Sequence, residues 1–394
     1  MTPWLAQWLH DLDPVALRLG PITVYWYGIS YLVGFALAWA LLVVAARRGL
    51  TPIPASAVGD LVLFGGIGGV VGGRVGYVLI YGPHLLTEVT QSFPYWQALN
   101  LARGGMASHG GFVGALVGLA WAARSLRRRA RAEGIQPLAD LPTLHVVDLA
   151  AAVAPIGLMC GRIANFVNGE LLGKIVARPG EPAPWWSVRF PQEILDRYWT
   201  PEITEANLRG AAEAVGMSHL ELPTEAGRQR FFEAYLQLVE SLRHGSQEAA
   251  NAMGHFLNAR HPSQLYQAAV EGPLLLLALA IVWARPRVAG VVTGWFMILY
   301  GLGRIATETV RLPDAGFAVA RPLGLSRGQW LSAALVAAGV GLLAWVLLRA
   351  RARQAKGDAP PRFGGWLAPA FAGPAPAQPR DAQGQSGPND DQRR

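Results

Sequence analysis

Residues 23–45 read TVYWYGISYLVGFALAWALLVVA and contain no charged side chain. A helix of about 20 apolar residues is long enough to cross the hydrocarbon core of a lipid bilayer. Six further segments of similar length and hydrophobicity follow, so the sequence predicts a protein that crosses the membrane several times. The seven predicted spans are residues 23–45, 58–81, 106–123, 143–161, 264–284, 288–308 and 329–348.

The composition of the whole chain agrees with a membrane protein. Of its 394 residues, 52% are hydrophobic and 15% are charged, whereas soluble proteins carry roughly 25% charged residues. The 14 Trp and 46 Gly also fit, since Trp favours the bilayer interface and Gly is common in membrane helices. These values argue against a soluble cytoplasmic enzyme. The single cysteine, Cys160, excludes a disulfide framework and a multi-cysteine metal site.

The basic residues are distributed unevenly between the two sides of the predicted spans. The segments after spans one, three, five and seven hold thirteen Lys and Arg, and the short segments on the other side hold five. Because short cytoplasmic segments are enriched in basic residues, we expect the N-terminus outside the cell membrane and the C-terminus in the cytoplasm. The net charge of +8 then reflects membrane topology, and we expect no nucleic-acid partner. Residues 1–20 lack a signal-peptide pattern, so the first span should stay in the mature chain.

The sequence therefore predicts an all-α polytopic membrane protein with about seven transmembrane helices. A soluble head on the outer face is expected between spans four and five, where Glu225 to Arg243 has the pattern of an amphipathic helix. The Pro-, Gly- and Ala-rich C-terminus is expected to be disordered. The predicted domains are residues 1–161 for helices one to four, 162–262 for the head, 263–350 for helices five to seven, and 351–394 for the cytoplasmic tail.

Ionisable and polar side chains inside membrane spans are costly and usually functional. Most of those found here fall toward the outer ends of their spans, which predicts one polar cavity open to the outer leaflet. Arg74 and Asp148 are better suited to pairing between helices than to catalysis. The ionisable and polar side chains in or at the ends of the predicted spans are Tyr27, Arg74, His109, Asp148, Arg162, Arg304 and Glu308.

The densest polar stretch is GRIANFVNGE at residues 161–170. An Arg can grip a phosphate through two parallel hydrogen bonds, and the glycines allow close approach. Arg162 and Arg304 at the outer headgroup level therefore predict a site for an anionic headgroup. The alternative for Arg162 is a snorkelling side chain beside an Asn-Gly turn.

Tyr300, Arg304 and Glu308 follow one another at intervals of four residues and so share one helical face. A Glu one turn away would hold the Arg304 guanidinium in place. The alternative is a structural ion pair without a ligand.

His109 lies in the sequence GGMASHGG at residues 104–111. An imidazole can act as a general base near neutral pH, although an interfacial His bonded to the backbone is an equal alternative. His261 is expected to be structural, and Cys160 to serve in packing. The glycines between Gly65 and Gly73 predict close helix packing rather than a phosphate loop.

Taken together, these motifs resemble the prolipoprotein diacylglyceryl transferases of the bacterial inner membrane. The resemblance runs from about Asp13 to Ala350. It rests on YWYG at 25–28, YLVGF at 31–35, GGRVGY at 72–77, GMASHGG at 105–111, the stretch 161–173, HPSQLY at 261–266, and YGLGR at 300–304 with RLPD at 311–314.

The resemblance implies transfer of the diacylglyceryl group of phosphatidylglycerol to the thiol of the lipobox cysteine of a preprolipoprotein, with release of glycerol phosphate. It implies no cofactor and no metal; the partners would be phosphatidylglycerol, lipobox peptides and membrane lipids. The catalytic residues would be His109, Arg162 and Arg304, with both arginines holding the phosphate, Tyr27, Asn165, Gly169 and Glu170 lining the site, and Tyr300 and Glu308 supporting Arg304.

Two other classes of protein could use the same residues. A small-anion transporter would bind its substrate through the arginines, but its polar residues should lie near the bilayer midplane. A membrane scaffold with a protein-binding head would not explain Arg and His among glycines at span ends. The residues alone leave these alternatives open.

Overall fold

The computed structural model describes residues 8–20, 22–91, 93–101, 104–195, 202–312 and 324–371. Most of this chain is helical. Two of the five basic residues counted on the outer side, Arg103 and Arg321, and residues 313–314 of the RLPD motif lie outside the described residues. The helices are α1 (Trp26–Arg47), α2 (Val58–Ile80), α3 (Ser108–Ala132), α4 (Thr143–Asn168), α5 (Gln192–Leu195), α6 (Glu205–Ala214), α7 (Glu225–Arg243), α8 (Gln247–Gly254), α9 (Ser263–Ala269), α10 (Leu275–Val282), α11 (Val291–Glu308) and α12 (Arg327–Ala355).

Five helical segments of the described chain are long and apolar enough to cross a membrane. This confirms a helical membrane protein. The other two predicted spans are also helical, as α3 and α11, but they are less apolar because α3 runs into an Arg-rich turn and α11 contains Arg304 and Glu308. The five segments are Trp26–Arg47, Ala55–Ile80, Thr143–Asn168, Ser263–Val282 and Arg327–Ala355.

Helices α2 and α3 pack together through glycine, as the sequence predicted. A Cβ atom on Gly72 would overlap the backbone oxygen of Gly110, and one on Gly114 would overlap that of Gly68. The two backbones are therefore in direct contact, which side chains at these positions would prevent.

Helix α4 packs against α1 and is tied to α11. The Cys160 side chain is buried and lies next to Gly34 of α1, so it serves in packing. The carboxylate of Asp148 accepts hydrogen bonds from the N–H groups of Gly290 and Thr293, both at 2.7 Å. Asp148 thus joins α4 to the start of α11, which is the helix-to-helix pairing expected of it.

The prediction of an all-α protein is wrong for the segment between α4 and α9. This segment contributes three strands to a sheet of order β1-β5-β6-β4, in which β1 is parallel to β5 and the other pairs are antiparallel. Strands of two or three residues show no periodicity in a sequence. The strands of the described chain are β1 (Trp8–Leu9), β2 (Val15–Leu19), β3 (Ile22–Tyr25), β4 (Ile175–Ala177), β5 (Val188–Arg189), β6 (Ala259–Arg260), β7 (Pro286–Val288) and β8 (Arg362–Gly364).

The same segment has its own small core beside the sheet. Ala211, Tyr235, Met253 and Leu257 are completely buried where α6, α7 and α8 meet. The amphipathic helix predicted at Glu225–Arg243 is confirmed as α7. This cluster is separate from the larger core formed between the long helices.

Residues 351–371 are ordered, which corrects the tail predicted from residue 351. Helix α12 continues to Ala355, and β8 pairs with β7. The Phe363 ring is buried and stacks on His145, with 4.0 Å between ring centroids, and the Trp283 indole N–H donates to the Phe363 carbonyl. Burial of this aromatic residue outweighs the flexible composition around it. The rest of the predicted tail, residues 372–394, lies outside the described residues.

Candidate functional site

A break between α9 and α10 carries a buried glutamate. Pro273 has no N–H to donate and restricts the residue before it. Residues Val270–Leu274 accordingly form a single π-helical turn in which Gly272 has non-helical φ and ψ of −98° and −105°. Such turns are frequent at functional sites. Glu271 lies within this turn, and its side chain is 0% exposed.

Glu271 lies between the two arginines that the sequence analysis singled out. Its Oε2 is 2.9 Å from Nε of Arg162 on α4. Its Oε1 is 3.6 Å from Nη1 of Arg304 on α11. Both arginine side chains remain 15% exposed. The structure therefore brings Arg162 and Arg304 together around one carboxylate.

The ion pairs continue from Arg304 along α11. Arg304 Nη2 lies 3.5 Å from Oε2 of Glu308, one helical turn later, and the same oxygen is 3.5 Å from Nη1 of Arg311. The hydroxyl of Ser326 donates to Oε1 of Glu308 at 3.3 Å. Glu308 therefore supports Arg304, as its spacing predicted, and it also anchors the start of α12.

Helix α4 continues to Asn168, beyond residue 161, where the sequence predicts the end of span four. Arg162 and Asn165 lie inside this helix, because the polar side chains face other protein elements instead of ending the span. Gly169 ends the helix in the left-handed region, with φ of +67°. Glycine is favoured there by this φ, and a Cβ would also require the end of the Gln192 side chain to move.

The turn after α4, the helix that carries Arg162, is held by hydrogen bonds of polar side chains. Asn165 and Asn168 both donate to the Glu170 carboxylate, at 3.3 Å each. Leu171 has φ of +56°, a left-handed conformation unusual for a residue with a branched side chain. Gln264 and Ser263 of α9 donate to the carbonyls of Glu170 and Leu171. The turn is thus fixed to the start of α9.

A fully buried ion pair holds the next residues of this turn. Arg260 Nε lies 2.6 Å from Oε2 of Glu193, and both side chains are 0% exposed. Arg260 also donates to the Gly173 carbonyl at 3.0 Å. The other oxygen of Glu193 accepts the Asn258 N–H at 2.7 Å. The sequence analysis missed this pair, whose partners become neighbours only in the folded segment.

Three tyrosines lie near Arg162. Tyr27 and Tyr300 are within electrostatic range of its guanidinium, and the Tyr31 hydroxyl donates to the Tyr27 hydroxyl at 3.4 Å. Tyr300 is therefore adjacent to Arg162 as well as one turn from Arg304. The predicted residues Tyr27 and Tyr300 belong to the same neighbourhood as the arginines.

His109 lies at the start of α3, and its side chain is exposed. Within the described chain, no hydrogen bond or ion pair joins it to Arg162 or Arg304. Arg74, expected to pair with another helix, instead donates to the carbonyls of Gln97, Ala98, Gly104 and Gly105 at 2.7–3.0 Å. A guanidinium has five donors, enough to fix the loop that leads to His109.

His261 has a packing role, as expected. Its ring stacks on Trp186, with centroids 5.1 Å apart, and its backbone N–H donates to the Lys174 carbonyl. Burial and the charge of Lys174 lower the pKa of His261. His261 therefore belongs to the support of the site, next to the turn after α4.

The sequence analysis missed Glu271. The signal available was a carboxylate between apolar residues and directly before Gly272-Pro273, in a span otherwise free of acidic groups. A buried carboxylate in a membrane span requires a cationic partner. Chemically, two guanidiniums that share one carboxylate retain an excess of positive charge, which suits the binding of an anion.

The chain is similar to known proteins along most of its length. A family model described as prolipoprotein diacylglyceryl transferase matches residues 14–345. A Bdellovibrio bacteriovorus protein named phosphatidylglycerol–prolipoprotein diacylglyceryl transferase is 37% identical over 346 residues, which cover 85% of this chain and 93% of that protein. Proteins of the same name from Xylella fastidiosa and Burkholderia multivorans are 35% and 34% identical, covering 88% of this chain and 96% and 98% of their own lengths.

Proposed function

Because the chain belongs to the prolipoprotein diacylglyceryl transferase family, we propose that Arg162 and Arg304 hold the phosphate of phosphatidylglycerol during transfer of its diacylglyceryl group to a prolipoprotein. The chain is a transferase of lipoprotein biosynthesis. The acceptor atom proposed here is the thiol of the lipobox cysteine.

The observation that carries the proposal is the sharing of Glu271 by two arginines. Arg162, Arg304 and Arg311 carry three positive charges, and Glu271 and Glu308 carry two negative charges, so this connected group retains one positive charge. A phosphodiester carries one negative charge and would balance it. In a site shielded from water, this compensation is stronger than it would be in solution.

In the proposed reaction, the cysteine thiolate attacks the glycerol carbon that bears the phosphate ester. A carbon–sulfur bond forms, the carbon–oxygen bond breaks, and glycerol phosphate leaves with the bonding electrons. Arg162 and Arg304 stabilise the additional negative charge that develops on the leaving phosphate. The products are a thioether-linked lipid and glycerol phosphate.

A thiol is mostly protonated at neutral pH, so the reaction needs a proton acceptor. We assign this role to His109, whose exposed side chain can be reached by a substrate from outside the protein. Tyr27, Asn165, Gly169 and Glu170 would line the lipid site. Tyr300 and Glu308 would position Arg304.

The topology proposed for this reaction has seven transmembrane helices in the bacterial inner membrane. The N-terminus and the segment between α4 and α9 would be periplasmic, and the C-terminus cytoplasmic. The uneven distribution of Lys and Arg supports this orientation. It would place Arg162 and Arg304 near the outer leaflet.

The test uses the purified full chain in vesicles that contain phosphatidylglycerol, together with a lipobox peptide. The expected result is a peptide mass increase of one diacylglyceryl group and an equal amount of released glycerol phosphate. A Cys→Ser peptide is the matched control and should remain unmodified. An unmodified cysteine peptide would contradict the proposal, and anion uptake without transfer would favour a transporter.

A further inference from the structure

Helix α9 presents a row of buried amide side chains next to the arginines. Gln264 and Gln267 are 0% and 1% exposed, and Glu271 follows on the same side of the helix. Positions separated by three, four and seven residues share a helical face. This face packs against α4, since Gln264 contacts the Glu170 carbonyl and Glu271 contacts Arg162.

Several polar atoms in this row have no hydrogen-bond partner among the described residues. Both the Nε2 and Oε1 atoms of Gln267 are buried and unpaired, and so is Oε1 of Gln264. Oε1 of Glu271 and Nη1 of Arg304 face one another at 3.6 Å, beyond hydrogen-bond distance. Buried polar groups are nearly always paired, so an unpaired amide next to an anion site points to a polar ligand group.

The contacts at the two ends of the row locate Gln267. Gln264 meets the residue that follows α4, whereas Glu271 meets Arg162 within α4, so the two helices run antiparallel. Gln267 therefore lies one helical turn from Glu271, about 6 Å along the helix axis. A three-carbon glycerol spans a comparable distance from a phosphate bound between Arg162 and Arg304.

We infer that Gln267 binds the hydroxyl groups of the headgroup glycerol of phosphatidylglycerol, an inference that rests on the proposed function. A carboxamide is uncharged and offers both a donor and an acceptor, which matches a hydroxyl that can donate and accept. A headgroup without hydroxyls would leave the buried amide unpaired. Gln267 would thus select the lipid, while the arginines would bind the phosphate common to many lipids.

The test compares phosphatidylglycerol with phosphatidylpropanol, which has the same charge and carbon count but lacks both hydroxyls. With the full chain and a lipobox peptide, kcat/KM for wild type should favour phosphatidylglycerol by at least about tenfold. Gln267→Met keeps the volume of the side chain but removes its hydrogen bonds. The ratio of kcat/KM for phosphatidylglycerol to kcat/KM for phosphatidylpropanol should therefore fall toward one. Phosphatidylpropanol should react at a similar rate with both proteins.

Two further variants make the result decisive. Gln267→Asn retains a shortened amide and should also reduce the ratio, which covers a failure of Gln267→Met to fold. Leu265→Met, on the exposed side of α9, should leave the ratio unchanged. A wild-type ratio near one, or a Gln267 variant that keeps the wild-type ratio, would overturn the inference. Absence of transfer from either lipid by wild type would instead contradict the proposed function.

Discussion

Arg162 and Glu271 are 109 positions apart in the sequence, but Nε of Arg162 lies 2.9 Å from Oε2 of Glu271, whose side chain is fully buried. The contact depends on the π-helical turn before Pro273. Because Glu271 also approaches Arg304, this one carboxylate sets the distance between the two guanidiniums.

Glu271→Gln should therefore damage the site more than a loss of one hydrogen bond would. The substitution keeps the shape but leaves two buried guanidiniums without their shared carboxylate, and removal of one partner of a buried pair costs about 3–5 kcal/mol. We expect a lower unfolding temperature and at least about a hundredfold loss of transfer, since arginine positions must hold to a fraction of an ångström. Glu271→Asp should retain partial activity. Wild-type stability and rate for Glu271→Gln would refute this role.

Replacement of His109 by Gln should lower the transfer rate and change its pH dependence. A general base must be unprotonated, so the rate should fall as the pH decreases while His109 is present. In His109→Gln this acid-side decline should be lost or displaced, and the remaining rate should follow the thiol of the peptide. The measurement is kcat/KM from about pH 5 to 9. An unchanged profile and rate would remove His109 from the role of base.

Gly72→Ala should separate α2 from α3. A Cβ at this position would overlap the Gly110 backbone, which cannot move aside as a side chain could. Overpacking of this kind costs about 1–3 kcal/mol. The unfolding temperature of the purified Gly72→Ala protein should therefore be lower than that of wild type.

Gly59→Ala provides the matched control for that experiment. Gly59 lies on the same helix, and a Cβ there would meet nothing within 4 Å. Its unfolding temperature should equal or slightly exceed that of wild type, because Ala is the better helix former. Equal effects of the two substitutions would show that glycine contact does not hold these helices together.

The buried pair of Glu193 and Arg260 should be essential for the turn after α4. Glu193→Gln removes the buried carboxylate that pairs with Arg260 and leaves the partly exposed Glu202, 3.3 Å from its Nη1, and we expect destabilisation of about 3 kcal/mol. Hydrogen exchange should rise at Lys174, whose N–H donates to the Val310 carbonyl and which directly follows Gly173, the residue whose carbonyl accepts from Arg260. As a control, Glu240→Gln on exposed α7 removes a pair that carries little energy. Unchanged exchange at Lys174 in Glu193→Gln would exclude the pair from holding this turn.

The predictable parts of this structure depend on local sequence. The apolar spans follow from runs of side chains, and the pairing of Arg304 with Glu308 follows from their separation by one helical turn. In contrast, the partner of Glu271 depends on how α4 meets the break between α9 and α10. Polarity at Arg162 was interpreted as the end of a span, although α4 continues because these side chains find partners in other elements.

The short strands and the ordered residues after α12 escaped prediction for a related reason. Ala259–Arg260 is only two residues long, and its pairing with β4 and β5 is visible only in three dimensions. Phe363 lies in a Pro- and Gly-rich stretch, but it is ordered by burial against His145. In both places, contacts between distant segments outweigh local composition.

The central claim is that Arg162 and Arg304 act on the phosphate of the lipid substrate. Its most direct test is the rate of peptide modification and glycerol phosphate release by Arg162→Ala and Arg304→Ala in vesicles of phosphatidylglycerol, with Arg128→Ala, an exposed arginine of α3, as the control. We predict that both site variants lose transfer by at least about a hundredfold while remaining folded and membrane-inserted, and that the control is unaffected. Wild-type transfer by Arg304→Ala would contradict the account.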